Sequence, residues 1–330
     1  MVVYTSFTPL IPIDGVMMEH SNNCPLKLGL ILPESEWDLG GKTPRWNDYV
    51  EMSCLAEDIG LDSIWFVDHL LYRGEATQVR QQGVWECWSI LAALAAVTKR
   101  VELGSLVTPT SFRNPAIFAK QVDAVEEISG GRVILGLGAG WHNEEYQAFG
   151  VPFKMRVSRF EEAFHIIRSL LQEGSVNFEG KYYSARECEL PPRGPRPKGP
   201  PLMIGSSGPR MLGITLPWVD SWNTWLCDER NSPDEIPPLR ELVDARCRDV
   251  GRDPATLGRS CSIAIDPTGK CDIPSNLDAD LQALSGPPEV VAQTIRAFAD
   301  EGIDHIQAYM VPSTIESVEW LAKVIEILDQ

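Results

Sequence analysis

The segment VELGSLVTPTSFRNPAIFAKQVDAVEEISGGRVILGL, residues 101–137, contains the pattern that decides the fold. Val101–Val107 and Val133–Leu137 are short, continuous apolar runs, which are typical of strands buried on both faces. Between them, Pro115–Ile128 carries apolar residues at helical spacing. A strand, a helix and a second strand in this order predict a parallel βαβ unit, because parallel strands need a long crossover connection.

The same alternation continues along the rest of the chain. Further strand-then-helix units are predicted at Leu26–Leu32 with Trp46–Ile59, Ser63–Val67 with Val84–Val97, Val133–Leu137 with Ser158–Gln172, Leu202–Ile204 with a short helix after Pro209, Val219–Trp222 with Ile236–Val250, Ser260–Ile265 with Pro288–Asp300, and His305–Met310 with Thr314–Leu328. Eight such units predict an α/β fold of the closed (β/α)8 TIM-barrel type. An open doubly wound sheet is the alternative, and it needs fewer strands. Insertions are predicted after units four and six, at 177–201 and 227–238.

Two helices of this barrel carry a predicted start signal. Ser158-x-x-Glu161 and Ser313-x-x-Glu316 have the spacing of capping boxes, in which a serine and a glutamate satisfy the first backbone N–H groups of a helix. We therefore expect Ser158 and Ser313 to cap the helices after the fourth and eighth strands.

Composition and charge exclude several classes of partner. The 330 residues include 46 acidic and 29 basic side chains, for a net charge of −17. Nucleic acid and anionic membrane surfaces both require a positive field, so neither is an expected partner. No apolar run approaches the length of a membrane span. The eight cysteines show no metal-ligand spacing, which favours reduced thiols in a cytoplasmic protein.

Residues 1–23 are predicted to be a disordered extension, and residues 24–330 a single barrel domain. The extension lacks a positive start, and prolines and acidic residues interrupt the stretch where a secretion signal would be apolar.

Polar, glycine and aromatic residues cluster at the ends of five successive predicted strands. They are Asp68-His69, Ser105–Pro109, Gly136–His142, Gly205–Arg210 and Asp220–Asn223. Active sites of barrels form at the carboxyl ends of the strands, so these segments are expected to meet around one site.

Glycines 136, 138 and 140 do not match the dinucleotide fingerprint, because Trp141 stands where the third glycine would be. Two interpretations remain open for them. Alternate glycines let a strand pack closely against its neighbour, or they let a flat ring system approach the backbone.

The segment Gly205-Ser206-Ser207-Gly208-Pro209 predicts an anion site. Small residues leave backbone N–H groups accessible, and proline suits the first position of a helix whose dipole favours an anion. Residues 151–210 support this, since ten basic against six acidic side chains give them a net charge of +4. An ordinary strand-to-helix turn and a solvated basic face are the alternatives.

Two of the five histidines follow strands and could act as acid or base. These are His69 and His142; a purely structural role is the alternative for both. His305 begins the last strand and is expected at the opposite end of the barrel. No spacing indicates a metal site or a hydrolase nucleophile. Asp68 and Asp220 could form a glycosidase-type carboxylate pair, but nothing local sets their separation.

Several of these segments, in this order, resemble the bacterial luciferase-like monooxygenase superfamily, and within it the branch that uses the deazaflavin coenzyme F420. The matching segments are GLDSIWFVDHL (60–70), ELGSLVTPTSFRNPAIFAKQ (102–121), GRVILGLGAGWHNEEYQAFG (131–150), RFEEAFHIIRSLL (159–171) and PLMIGSSGPRMLG (201–213).

The resemblance implies a flavin or deazaflavin ring across the strand ends, with His69 beside its reactive atom and a cis peptide at Ser105–Leu106 behind it. The residues implied around the ring and ribityl chain are Asp68, Ser105, Leu106, Thr108, Ala139, Gly140 and Glu144. Those implied at the phosphate are Ser206, Ser207, Gly208 and Arg156.

The chain departs from the branch that oxidises glucose 6-phosphate. Arg73 stands where that branch has tryptophan, Trp141 where it has glutamate, and Cys227 in the region of a lysine. A sugar-phosphate substrate is therefore not expected. The aromatic residues Trp37, Tyr72, Trp141 and Trp222 instead predict an apolar pocket for a small organic substrate.

Three functions follow as hypotheses. The first is F420-dependent hydride transfer to or from the substrate, which the basic segment supports because F420 carries a polyglutamate tail. The second is an FMN-dependent monooxygenase served by a partner reductase. The third is a non-catalytic ligand-binding barrel. The resemblance also implies a homodimer.

Overall fold

A computed structural model of the chain describes residues 26–72, 82–227, 229–269 and 283–330. Within these ranges, eight parallel strands form a closed barrel: β1 Lys27–Ile31, β2 Ser63–Phe66, β3 Glu102–Ser105, β4 Val133–Gly138, β5 Leu202–Gly205, β6 Ser221–Trp225, β7 Gly258–Asp266 and β8 His305–Met310. Each strand pairs with the next in the chain, and β8 pairs with β1 to close the barrel. The predicted TIM barrel is confirmed. The predicted extension at 1–23 lies outside the described residues.

Helices cover the outer face of this barrel. In the described ranges they are α1 Trp46–Asp58, α2 Cys87–Val97, α3 Pro115–Ser129, α4 Asn143–Ala148, α5 Arg156–Glu173, α6 Pro209–Thr215, α7 Ile236–Asp249, α8 Pro288–Asp300 and α9 Ile315–Leu328. Short strands lie at Leu71–Tyr72, Gln82–Gly83, Thr108–Pro109 and Leu284–Ser285, and a hairpin is formed by Ser175–Glu179 and Ser184–Glu189. None of the described helices combines the length and the apolar character needed to cross a membrane.

Strand alternation divides the apolar residues into two cores, because successive side chains of a strand point to opposite faces. Outward residues such as Ile64 and Leu135 pack against the helices. Inward residues such as Trp65 and Ile134 fill the barrel. Gly104 is needed beside Trp65, because a Cβ at this position would lie 2.1 Å from the indole ring.

A polar layer lies below this inner core, at the amino-terminal end of the strands. The Ser63 hydroxyl lies 2.7 Å from Nε2 of His305 and accepts a hydrogen bond of 2.8 Å from Nε1 of Trp65. Burial lowers the pKa of His305 to about 3, and the charge of Lys27 acts in the same direction. His305 is thus a neutral, buried residue far from the carboxyl ends of the strands.

Both predicted capping boxes are wrong in position. Helix α5 already begins at Arg156, so Ser158 lies inside its first turn and is not its cap. In α9 the cap is Thr314, whose hydroxyl accepts a hydrogen bond of 3.3 Å from the backbone N–H of Ser317. The hydroxyl of Ser313 is engaged instead as a donor to a backbone carbonyl of β8.

Candidate active site

The carboxyl end of β3 carries a bulge that turns the chain across the barrel mouth. Leu106 still donates its N–H to Phe66 on β2 at 3.0 Å, so the strand pairing extends to this residue. The cis peptide follows it at Leu106–Val107, one position beyond the predicted Ser105–Leu106 bond. The predicted position of the cis peptide was therefore wrong by one residue.

The bulge fills the space beside the glycines of β4 and β5. A Cβ at Gly138 or Gly205 would lie 2.8 or 3.0 Å from the Val107 side chain. A Cβ at Gly136 would lie 2.0 Å from the backbone carbonyl oxygen of Ser105. The glycines at 136 and 138 therefore permit close packing of the protein on itself, the first of the two interpretations of their spacing.

Glycine is required at position 140 for a different reason. Gly140 adopts a φ of +77°, in the left-handed region that side chains disfavour. A Cβ there would also meet the hydroxyl of Tyr146 at 2.0 Å, and this hydroxyl donates to the carbonyl of Ala139 at 2.9 Å. The Tyr146 hydroxyl therefore fixes the Ala139–Gly140 turn between β4 and α4.

Asp68 connects the end of β2 to the segment that follows β3. It is buried and accepts two hydrogen bonds from the guanidinium of Arg113, at 2.6 and 3.0 Å. Thr108 also bonds to it, and Trp88 donates to the Thr108 hydroxyl at 3.0 Å. Burial raises the pKa of Asp68, and the Arg113 charge opposes that shift. The hydrogen bonds from Thr108 and Arg113 therefore attach the segment that follows β3 to the end of β2.

Asp220 lies at the opposite end of the barrel. It precedes β6 and accepts a hydrogen bond of 2.8 Å from the backbone N–H of Leu202, the first residue of β5. Asp68, in contrast, follows the last residue of β2. The two carboxylates therefore cannot act on one substrate, and the proposed carboxylate pair was wrong.

His69, which is partly buried, pairs with the fully buried Glu145. Its Nδ1 lies 3.0 and 3.2 Å from the two carboxylate oxygens, and Glu145 is fully buried on α4. Leu70 donates its backbone N–H to the same carboxylate at 2.9 Å. Burial lowers the pKa of His69, but the hydrogen bond and charge of Glu145 outweigh it, so the pKa is raised.

Aromatic rings surround this histidine. The rings of Tyr72 and Trp141 lie 4.6 and 5.5 Å from the His69 ring between centroids. His142 lies 6.2 Å from Tyr72, and its Nδ1 is 3.2 Å from a carboxylate oxygen of Glu144. The structure thus brings together four residues predicted from sequence, with Trp141 64% exposed at the rim.

A second aromatic group lies on the loop after β1 and on the ends of β6 and β8. The rings of Trp37 and Trp225 lie 6.5 and 6.2 Å from that of Tyr309. Tyr309 donates its hydroxyl to Asp38, which also accepts backbone N–H groups of Glu34 and Ser35 at 2.7 and 2.9 Å. Tyr72 donates its hydroxyl to Glu34.

Trp222 is placed apart from both aromatic groups. It is only 1% exposed and packs in the outer core between strands and helices. Its Nε1 donates to the backbone carbonyl of Ser206 at 2.8 Å. The indole therefore supports the turn after β5 from beneath.

The turn after β5 is open to solvent. Ser207 is exposed, and Ser206 accepts a hydrogen bond of 3.2 Å from the N–H of Gly208. Gly208 is the cap of α6, and no side chain in the described part of the chain caps that helix. The first-turn amides of α6 therefore lie beside a partly exposed turn that contains two serines.

The basic segment 151–210 does not form one positive face. Arg196 holds the buried Glu126 and bonds to the Val133 carbonyl at 2.5 Å, at the amino-terminal end of β4. The cations on the upper part of α5 and on the hairpin stack instead on aromatic rings: Arg156 lies 4.6 Å from the Phe153 centroid, and Arg159 and Lys181 lie 4.5 and 5.4 Å from that of Tyr182. Only part of the predicted charge thus lies near the turn.

Among the residues that the structure describes, no group of three His, Cys, Asp or Glu side chains is placed to hold a metal ion.

A TIM barrel with a histidine paired to a buried carboxylate, an aromatic mouth and a serine–glycine turn at its carboxyl end has the arrangement of a barrel enzyme's active-site end. A sequence model of luciferase-like monooxygenases matches residues 26–268, so the chain belongs to this family.

Several known proteins are similar to it. The F420-dependent glucose-6-phosphate dehydrogenase of Amycolatopsis mediterranei is 37% identical over 168 residues, which cover 49% of this chain and 48% of the relative. Pyrimidine monooxygenase RutA of Methylorubrum populi is 28% identical over 245 residues, covering 71% of this chain and 64% of the relative. The chain thus spans about half to under two thirds of these curated relatives.

A solved structure shares the fold over nearly the whole chain. It is an F420-dependent secondary alcohol dehydrogenase in complex with an F420–acetone adduct, with a TM-score of 0.75 and 20% identity. The alignment covers 92% of this chain and 99% of that one.

Proposed function

We propose that the protein transfers a hydride between coenzyme F420 and a small, uncharged organic substrate. The observation that carries this proposal is the pairing of His69 with the buried Glu145 at the strand ends, which provides a proton-transfer group inside an aromatic mouth. The similarity to an F420-dependent dehydrogenase supports the choice of cofactor.

The residues at the mouth fit a flat ring joined to a phosphate. Val107 lies across the glycines at 138 and 205, which leaves a platform without larger side chains for the ring. The Ala139–Gly140 turn borders this platform. Ser206, Ser207 and the amides that begin α6 would hold the phosphate, with Arg156 at the start of α5 as an additional cation.

The protein's contribution is orientation, exclusion of water and control of one proton. A bound deazaflavin would donate the hydride when reduced and accept it when oxidised. His69 would hold the accompanying proton on Nε2, since its Nδ1 is engaged by Glu145. Tyr72 and Trp141 flank the imidazole and limit the access of water. Trp37, with Tyr309 beside it, would contact the substrate from the other side.

An uncharged substrate is favoured over a sugar phosphate. Cys227, which stands in the region where the glucose 6-phosphate branch has a lysine, is buried in the inner core. Trp141 occupies the position of the branch's glutamate. Neither residue supplies the positive charge of that lysine or the carboxylic acid of that glutamate. The third departure, Arg73, lies outside the described residues.

An FMN-dependent monooxygenase is the second candidate, and the similarity to RutA supports it. It would use the same platform and phosphate turn, and it would depend on a reductase to supply the reduced flavin. The two functions differ in oxygen chemistry, because replacing the ring N5 by carbon largely removes reactivity with oxygen.

The first experiment titrates the purified protein with F420 and with FMN while following quenching of its tryptophan fluorescence. We expect micromolar binding of F420 and weak binding of FMN. The opposite preference, with substrate-dependent oxygen consumption, would favour the monooxygenase. If neither binds, the proposal fails and only the fold is established.

The phosphate assignment is tested in the same titration. Arg156→Glu and Arg210→Glu should each weaken cofactor binding at least several-fold, because they place a negative charge beside the turn. Arg186→Glu is the matched control, since Arg186 lies on the exposed hairpin and pairs only with Glu179 among the described side chains. Unchanged affinity in the first two variants would contradict the assignment.

We also propose that the protein is a homodimer. Ile117 and Ile128 on α3 and Val97 on the adjacent α2 are exposed, with Ile117 70% accessible. Apolar side chains grouped in this way indicate a contact surface. Sedimentation equilibrium should give twice the chain mass, and Ile117→Lys should shift it toward the monomer.

A further inference from the structure

We propose that Glu145 is a positioning residue, which fixes His69 in a single tautomer with Nε2 directed at the substrate and keeps a proton available there. This inference rests on the proposed role of His69 in proton transfer. The family resemblance implied the neighbouring Glu144 as a cofactor ligand, and no pattern in the sequence pointed to Glu145.

The geometry leaves one role for each nitrogen of the ring. A carboxylate only accepts hydrogen bonds, so the Nδ1 that lies 3.0 and 3.2 Å from Glu145 must carry a hydrogen. In the neutral imidazole the lone pair is then on Nε2, and in the cation Nε2 also carries a proton. The tautomer is therefore set by Glu145.

Glu145 is itself held in place from two directions. Its position on α4 puts it after β4, while its second contact, the backbone N–H of Leu70, comes from the segment after β2. Because the carboxylate is fully buried, it has no solvent with which to exchange these partners. The imidazole plane is thus fixed relative to the barrel and not only to its own loop.

The other charged groups near His69 also raise its pKa. Besides Glu145, the charges of Glu34 and Asp68 raise its pKa, while burial lowers it. The Tyr72 hydroxyl is directed at Glu34, and the Trp141 ring is apolar apart from its N–H. The net pKa is above the ordinary value of 6.5, so the protonated form is more populated at neutral pH than for a free histidine.

This arrangement matches the needs of the proposed reaction. Reducing a C=O or C=N bond to CH–OH or CH–NH adds a hydride to carbon and a proton to oxygen or nitrogen. The Nε2–H of protonated His69 supplies that proton, and the neutral ring accepts it in the reverse direction. Without Glu145, the alternative tautomer would place a lone pair at Nδ1 and weaken both functions.

The test combines nitrogen-15 NMR of labelled histidine with the pH dependence of turnover. His69→Asn assigns the signal in spectra of the wild-type protein without cofactor. We expect the Nδ1–H tautomer and a pKa above 6.5. Glu145→Gln should lower that pKa by about one unit or more, since it removes the adjacent charge, and Glu145→Asp should recover part of the shift. Glu179→Gln, an exposed glutamate on the hairpin, is the matched control.

In the rate measurements, the limb of the pH profile assigned to His69 should move with the NMR pKa in each Glu145 variant. An unchanged tautomer and pKa in Glu145→Gln would overturn the inference. If that variant does not fold, Glu145→Asp decides it, because its shorter side chain withdraws the charge from Nδ1 and should lower the pKa by a smaller amount; a wild-type pKa in that variant would then overturn the inference. Because the spectra need neither cofactor nor turnover, they separate this inference from the proposed function, which fails if neither F420 nor FMN supports a reaction.

Discussion

Adding a single methyl group at Gly136 should disturb the bulge that supports the proposed cofactor platform. In Gly136→Ala the new Cβ would lie 2.0 Å from the Ser105 carbonyl oxygen, where ordinary contacts begin at 3.4 Å. The contact would thus be about 1.4 Å too short. Because it is made to a backbone atom, rotation of a flexible side chain cannot relieve it. Met203 and Val107, each 3.0 Å away, close the other directions. Overpacking of this kind costs about 1–3 kcal/mol, and we expect the upper end of that range.

Urea unfolding of Gly136→Ala measures this cost, with Gly213→Ala as the matched control. Gly213 lies in α6, and a Cβ added there would have no atom within 4 Å, so alanine should be neutral or stabilise by up to about 1 kcal/mol. The two variants should therefore differ by roughly 3 kcal/mol. Gly136→Ala should also bind the cofactor more weakly, because Ser105 and Val107 move together. If Gly136→Ala is as stable as Gly213→Ala, the close-packing interpretation of this glycine is refuted.

Three further perturbations test other parts of the site and core. Asp68→Asn should lower the free energy of unfolding by about 3–5 kcal/mol, because it leaves the Arg113 charge without its main buried partner; a loss below about 1 kcal/mol would contradict this account. For His305, whose folded pKa of about 3 lies below the unfolded value, stability is fully present above pH 6.5 and is lost as pH falls. Between pH 7 and pH 5 the wild type should lose about 2 kcal/mol more than His305→Gln in paired unfolding curves, and parallel losses would argue against a buried neutral histidine. Trp141→Ala should change stability by less than about 0.5 kcal/mol, because the side chain is largely exposed, yet raise the KM for the substrate; an unchanged KM would remove Trp141 from the pocket.

The barrel was predictable because its signals are local. Buried parallel strands such as Val133–Gly138 are continuous apolar runs, and helices such as Pro115–Ser129 follow with helical spacing. The errors fall where tertiary contacts override local patterns. Ser158 and Glu161 have the spacing of a cap, but the turn at Met155 starts the helix earlier.

The candidate site was predictable only where its residues follow strands. His69 and Trp141 could be found in this way, and the same rule could have found Trp225 and Tyr309, which end or nearly end their strands. Glu145 could not be found, because its pairing with His69 joins residues 76 positions apart. No local signal distinguishes it from the adjacent glutamate.

Asp220 shows the opposite error. The predicted strand Val219–Trp222 placed Asp220 among the residues at a strand's carboxyl end, whereas β6 begins after it at Ser221. A shift of a few residues in the boundaries therefore moved a carboxylate from one end of the barrel to the other.

The contact of one carboxylate with both His69 and Leu70 has a consequence for engineering. The mouth of a barrel is often treated as a set of exchangeable loops on a fixed scaffold, each of which can be grafted from a relative. Here the segments after β2 and β4 share a buried ion pair across the intervening strand. A graft of either segment alone would import a histidine without its carboxylate, or a carboxylate without its histidine. The two loops should therefore be transferred together, with the boundaries of a chimera placed outside both.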